Sequence, residues 1–133
     1  MSRAEKRVIT FGTFDVFHVG HLKLLVRARE RGESLTVGVS SDELNYKKKG
    51  RYPVYDQEER MLLIDALRVV DDVFLEESLE KKREYIIEQK AGILVMGDDW
   101  AGKFDHLGDV CEVVYLPRTP AISTTAVIEK IRR

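Results

Sequence analysis

Residues 8–21 read Val8-Ile9-Thr10-Phe11-Gly12-Thr13-Phe14-Asp15-Val16-Phe17-His18-Val19-Gly20-His21. The first five make a short apolar run closed by a glycine, the pattern of a buried strand. A turn-like stretch follows. Beyond it Leu22, Leu25 and Val26 fall at helical spacing, and Gly32 is a stop for that helix. Strand, turn and helix in this order open an α/β unit.

The pattern repeats along the chain. Residues 1–7 are a polar, basic lead-in. Leu35-Thr36-Val37-Gly38-Val39 is a second strand, and the polar, basic residues 41–55 read as a loop or lid. Asp56 and Glu59 have capping-box spacing, with Asp in place of the usual Ser or Thr, and open a helix carrying Met61, Ile64 and Leu67. Val69-Val70 and Val73-Phe74-Leu75 suggest a third strand. Ser78 is a candidate cap for a helix with Leu79, Ile86 and Ile87 on one face. Residues 93–96 form a fourth strand ending at Gly97, and residues 110–116 a fifth. Ser123 or Thr124 begins a last helix, with Thr124, Val127, Ile128 and Ile131 at i, i+3, i+4 and i+7.

These strands are apolar runs rather than alternations, which suits a parallel sheet covered on both faces. The expected fold is α/β, a Rossmann-like, doubly wound, five-stranded parallel sheet with helices on both faces, in one domain over residues 1–133. Ligands of such sheets bind beyond the carboxyl ends of the strands.

Composition narrows the partners. The 133 residues are 44% hydrophobic and 34% charged, with a net charge of −1. That is an ordinary globular mixture, and nothing in it points to nucleic acid or a membrane surface. No signal peptide or membrane-span pattern is present, so the cytoplasm is the expected compartment. The single cysteine, Cys111, sits in Val110-Cys111-Glu112-Val113-Val114 and reads as a buried strand residue.

Two of the three histidines, His18 and His21, stand in the turn after the first strand, where a helix begins. Their spacing lets them share one face. A helix N-terminus already favours anions, and imidazoles there add donors for phosphate oxygens. Two other readings are local hydrogen bonding and a zinc site that includes Asp15, but no further His or Cys has ligand spacing. Arg118-Thr119 and Ser123-Thr124 follow the fifth strand. The Arg offers a planar fork of donors to phosphate, and the hydroxyls can cap the last helix or bind phosphate. Lys47-Lys48-Lys49-Gly50-Arg51 follows the second strand, and alone such a charge run reads as a solvated face. Asp98 and Asp99 follow the fourth, where they can order the site or bind Mg2+ through water.

The run 12–21 resembles the GTFD…HxGH signature of the cytidylyltransferase-like nucleotidyltransferase superfamily. Residues 96–105 (MGDDWAGKFD) and 116–125 (LPRTPAISTT) are similar to the bacterial glycerol-3-phosphate cytidylyltransferase family, and the likeness runs from about residue 7 to 130. The resemblance implies that His18 and His21 contact the CTP phosphates and stabilise the transition state. It puts Gly12, Thr13, Phe14 and Asp99 at the nucleotide. Asp15 matches a position needed for activity, read as ordering the loop or bonding an imidazole. Arg118, Thr119, Ile122, Ser123 and Thr124 become the second half of a triphosphate cradle. The chain departs there, because Pro120-Ala121-Ile122 is one residue shorter than the family turn and lacks its glycine. Lys48 matches a lysine reaching both nucleotide and acceptor phosphate, with Lys49 or Arg51 in place of a second one. Lys82 matches a lysine that binds the acceptor phosphate from the neighbouring subunit. Arg60, Arg68 and Asp71 match positions near the site or supporting it.

The expected reaction is in-line attack of an acceptor phosphate on CTP. It transfers CMP to glycerol 3-phosphate and releases CDP-glycerol, used for cell-envelope polymers, and pyrophosphate. The expected cofactor is Mg2+ with unassigned protein ligands, and the expected assembly is a homodimer. Rival readings keep the chemistry with another polyol, sugar or head-group phosphate, replace CTP by ATP, or leave a silent nucleotide-binding module.

Overall fold

The computed structural model describes residues 6–117 and 124–132. Five strands, β1 (Arg7–Gly12), β2 (Ser34–Ser40), β3 (Asp72–Glu76), β4 (Ile93–Gly97) and β5 (Glu112–Leu116), form one sheet in the order β3-β2-β1-β4-β5. Every adjacent pair is parallel. The winding runs outward from β1 in one direction and from β4 in the other, so the crevice expected of such a sheet lies where these two strands meet.

Alternation within the strands explains the layers. Val8, Val37 and Val95 join Leu25 and Ala28 of α1 (Val19–Arg29) and Ile64 of α3 (Gln57–Asp65) in one buried cluster. Ile9, Phe11, Leu94 and Met96 point the other way. They pack with Ile86 of α4 (Lys82–Glu88) and Leu107 of a short 3-10 turn at Asp105–Asp109. Both faces of the sheet are thus buried, as the continuous apolar strands predict.

Several local expectations are corrected. Residues 41–55 are not all loop: Asp42–Lys49 is a helix, α2. The Ser41 side chain caps it by accepting from Leu44 N–H, and Gly50 closes it in the left-handed region at φ 73°. Asp56 does cap α3, accepting from Glu59 N–H. Ser78 caps nothing: α4 starts at Lys82, its N-cap Lys81 makes no side-chain cap bond, and Ile87 is 56% exposed. Val69 and Val70 precede β3 and pack beneath it. Cys111 is buried but precedes β5. The last helix, α5 (Thr124–Arg132), buries none of its residues, and Ile131 is 72% exposed. No helix among the described residues is long and apolar enough to cross a membrane.

Candidate active site

The carboxyl-terminal residues Gly12, Ser40, Glu76 and Gly97 of four adjacent strands open into one cavity of about 890 Å3. Its first wall is the turn from β1 to α1. Phe14 and Val16 both occupy the left-handed region, at φ 54° and 46°, which costs energy in side chains with a Cβ. The Phe14 ring folds back beneath Gly12, where an added Cβ lies 2.8 Å from a ring carbon. Gly12→Ala therefore forces a buried ring out of place. We expect a loss of about 1–3 kcal/mol of stability, read as a lower denaturant midpoint at unchanged m-value.

Asp15 holds this turn to its neighbours. Its two carboxylate oxygens accept from the backbone N–H groups of Val54 (2.7 Å) and Tyr55 (2.9 Å), and its carbonyl accepts the Thr124 hydroxyl at 2.9 Å. One residue thus ties the β1–α1 turn to the segment after α2 and to the start of α5.

The two histidines form a reciprocal cap at the N-terminus of α1. His18 Nδ1 accepts from Gly20 N–H at 3.0 Å, and His21 Nδ1 accepts from His18 N–H at 3.2 Å. The rings stack with centroids 3.8 Å apart. A nitrogen that accepts carries no proton, so each neutral ring bears its hydrogen on Nε2. His21 Nε2 lies 3.5 Å from the Thr124 hydroxyl oxygen. His18 Nε2 is buried and has no hydrogen-bond partner among the described residues. Such an orphan donor carries a desolvation cost that an incoming oxygen atom can relieve.

Both rings are held neutral. Burial lowers the pKa of His18. Burial, then repulsion from His18, lowers that of His21 to about 4, with Asp15 opposing. The folded value of His21 lies below its unfolded value, so the unfolded chain binds more protons between them. The associated stability is complete above pH 6.5 and is lost as pH falls through about 4. Thermal melts across pH 4–7 are expected to show that decline, and His21→Gln is expected to flatten it.

The opposite side of the chemistry is basic. Lys48 from α2 and Lys82 from α4 line the cavity with Lys49 and Arg51. The Lys82 ammonium pairs with Glu76 Oε2 at 2.5 Å and stands 4.0 Å from the Phe11 ring centroid. Lys48 Nζ donates to the Ser40 hydroxyl at 3.4 Å. Behind this floor Arg60 is fully buried and donates to the carbonyls of Thr13, Ser40 and Tyr55 and to the Asp42 carboxylate. Asn45, also buried, accepts the Thr13 hydroxyl at 2.7 Å and donates to the Ser40 and Ser41 carbonyls.

Neutral N–H donors at a helix N-terminus and ammonium groups in one crevice make a site for a polyanion. The profile of the family described as Cytidylyltransferase-like matches residues 9–130. The chain belongs to this cytidylyltransferase-like family. It is 50% identical over 126 residues to the glycerol-3-phosphate cytidylyltransferase of Bacillus subtilis (strain 168), covering 95% of this chain and 97% of the relative. It is 46% identical to the Staphylococcus aureus (strain NCTC 8325 / PS 47) enzyme of the same name, covering 95% of each. The solved lipopolysaccharide core biosynthesis protein from Thermoplasma volcanium GSS1 superposes with a TM-score of 0.73 at 28% identity, over 87% of this chain and 99% of that one.

Against this cytidylyltransferase-like frame, the anticipated residues divide. Gly12, Thr13, Phe14, Asp15, His21, Lys48, Lys82, Asp99 and Thr124 line one cavity, with His18 stacked on His21. Lys82 lines the cavity of its own chain. Arg60 supports the site from within the core. Arg68 is exposed after α3 and does not line the cavity. Asp71 is corrected outright: it accepts from Leu35 N–H at 2.8 Å and lies 3.4 Å from Arg29 Nε, at the amino-terminal end of β2. It braces the sheet at the end away from the cavity. Arg118, Thr119, Ile122 and Ser123, with the Pro120-Ala121 turn, lie outside the described residues.

Sequence reasoning missed Ser40, Asn45, Glu76, Tyr52 and Trp100 on the cavity wall. Ser40 and Glu76 each end a strand, and that position was the available signal.

Proposed function

We propose that this chain is a glycerol-3-phosphate cytidylyltransferase. The observation that carries the reaction class is the pair of stacked, neutral imidazoles at the N-terminus of α1, of which His21 lines a crevice with two lysines. The substrate assignment is supported by 46–50% identity, over nearly the whole chain, with enzymes of that name.

The acceptor's phosphate is itself the nucleophile. One of its oxygens forms a bond to the α-phosphorus of CTP while the bond to the bridging α–β oxygen breaks, giving CDP-glycerol and pyrophosphate. No proton transfer is required, so the protein positions its substrates and neutralises charge. The Nε2–H groups of His18 and His21 and the α1 N-terminus donate to the nucleotide phosphates. Lys48 and Lys82 receive the acceptor phosphate, with Lys48 placed to reach both substrates. Arg118, Thr119, Ile122, Ser123 and Thr124 complete the triphosphate cradle.

Among the described residues no three His, Cys, Asp or Glu side chains group as a metal cage. Mg2+ carried on substrate phosphates needs only one or two protein carboxylates. Asp99, on the cavity wall, is the carboxylate that would hold the ion. When bound, the ion supplies further charge neutralisation. We also assign the protein to the cytoplasm as a homodimer serving cell-envelope polymer synthesis, on the family resemblance.

Pyrophosphate release measured with each of four NTPs against a panel of phosphorylated polyols, sugars and head groups tests the reading. Turnover with CTP and glycerol 3-phosphate alone is expected. Equal turnover with ATP, or none with glycerol 3-phosphate, overturns it. Lys48→Met is expected to raise KM for glycerol 3-phosphate by about tenfold or more, the value of a hydrogen bond to a charged group.

A further inference from the structure

Three charged side chains meet at the carboxyl end of β3, and the reaction described above uses two of them. Glu76, the last residue of β3, is 1% exposed. Its Oε2 pairs with the Lys82 ammonium, and its Oε1 accepts the Ser40 hydroxyl at 3.2 Å. The same hydroxyl oxygen accepts from Lys48 Nζ. One buried carboxylate therefore holds Lys82 directly and Lys48 through one intervening group.

Stability does not explain this arrangement. Desolvation offsets most of the attraction in a buried ion pair, and apolar residues of similar volume serve a core as well or better. The effect on the lysines does explain it. Burial pushes both ammonium groups toward the neutral form, and Glu76 opposes that push in each. Around Lys48, the charges of Lys49, Lys82 and Arg60 reinforce burial. The other acids on the cavity wall are Asp15, Asp99 and Glu129, and Asp15 is already bonded to the amides of Val54 and Tyr55.

We propose that Glu76 is a positioning residue for the acceptor's phosphate, fixing Lys82 directly and Lys48 through Ser40 and keeping both as ammonium ions on the cavity floor. This rests on the reading that these two lysines receive the acceptor phosphate. A neutral Lys82 donates weakly and carries no charge for a phosphate dianion, so loss of the carboxylate weakens acceptor binding more than CTP binding, in which only Lys48 of the two takes part.

Glu76→Gln keeps the side-chain length and an acceptor for Ser40 but removes the charge. KM for glycerol 3-phosphate is expected to rise about tenfold or more, while KM for CTP rises less, because only Lys48 of the two lysines also reaches the nucleotide and Gln keeps the acceptor for the Ser40 that holds it. The alkaline limb of kcat/KM for glycerol 3-phosphate is expected to move about one pH unit or more to lower pH, because a close counter-charge is gone. Carbon-13 NMR of lysine-labelled protein reads the same shift without turnover, the Lys82 signal being assigned by its loss in Lys82→Met. Should Glu76→Gln fold poorly, the double variant Glu76→Gln with Lys82→Met removes both buried charges. It is expected to melt near the parent while acceptor KM stays raised. An unmoved Lys82 titration in folded Glu76→Gln, or a parental acceptor KM in either variant, overturns the proposal. A shifted Lys82 signal with raised KM for CTP alone overturns instead the assignment of these lysines to the acceptor.

Discussion

His18→Asn and His21→Gln are each expected to lower kcat about 100-fold or more while the protein melts within a few degrees of the parent. The size follows from the role. Removing one preorganised donor to the charge that develops in acyl-transfer transition states costs about 10²–10³ in rate, and displacement at phosphorus makes the same demand. The choice of residues separates chemistry from folding. His18 is the N-cap of α1 and His21 its N3 residue, each satisfying a backbone N–H through Nδ1. Alanine would remove that cap along with the donor, at about 0.5–2 kcal/mol. Asn is a strong N-cap residue and Gln a natural N3 partner, so the backbone bonds survive while the imidazole Nε2–H is lost. Steady-state kinetics with CTP and glycerol 3-phosphate, beside thermal melts, check the result. Turnover near the parent in either variant would remove the imidazoles from the chemistry.

The same turn shows why some of the molecule was legible in sequence and some was not. Val8–Phe11 and Ile93–Met96 carry apolar residues on both faces because α1 and α3 cover one side of the sheet and α4 the other, and Leu35, Val37 and Val39 face the first side. That pattern is local, and it carries the parallel sheet with it. Helix α2 escaped because it lies along the carboxyl edge and buries only Leu44 and Asn45, too little for an apolar stripe. Its signals were the Ser41 cap and Gly50, both outweighed by the lysine run. Glu76 stands in the sequence as one acid beside another after an apolar run, and nothing local says that Lys82 pairs with it. The last helix misled in the opposite sense: Val127, Ile128 and Ile131 are at helical spacing, yet none is fully buried. Periodicity reports a face that can be covered, and the fold decides whether it is. Asp71 was read by family likeness alone as near the site or supporting it, and its bond to Leu35 N–H puts it at the far end of the sheet.

Arg60 was readable in part, and it leads to the largest expected effect on stability. It lies four residues before Ile64 on α3, in register with the buried face, where a solvated arginine does not belong. Four hydrogen bonds engage all three of its nitrogens. Nε donates to the Tyr55 carbonyl at 2.9 Å, Nη1 to the Thr13 and Ser40 carbonyls at 2.9 and 2.7 Å, and Nη2 to Asp42 Oδ1 at 2.8 Å. These partners belong to four segments: the turn after β1, the end of β2, the first residue of α2 and the approach to α3. Arg60→Ala strips a donor from each carbonyl and leaves the Asp42 charge without this partner, so the loss is expected at about 3–5 kcal/mol. For a domain of this size that lowers Tm by roughly 10–20 °C. Arg60→Lys should recover little of it, since one ammonium cannot reproduce a planar fork reaching four acceptors. Because Thr13 and Ser40 lie on the cavity wall, whatever remains folded should also turn over more slowly. Calorimetry of both variants at neutral pH, with kinetics below their melting range, checks this. A lysine variant that melts with the parent would show that charge alone, and not the geometry of the fork, holds the floor of the site.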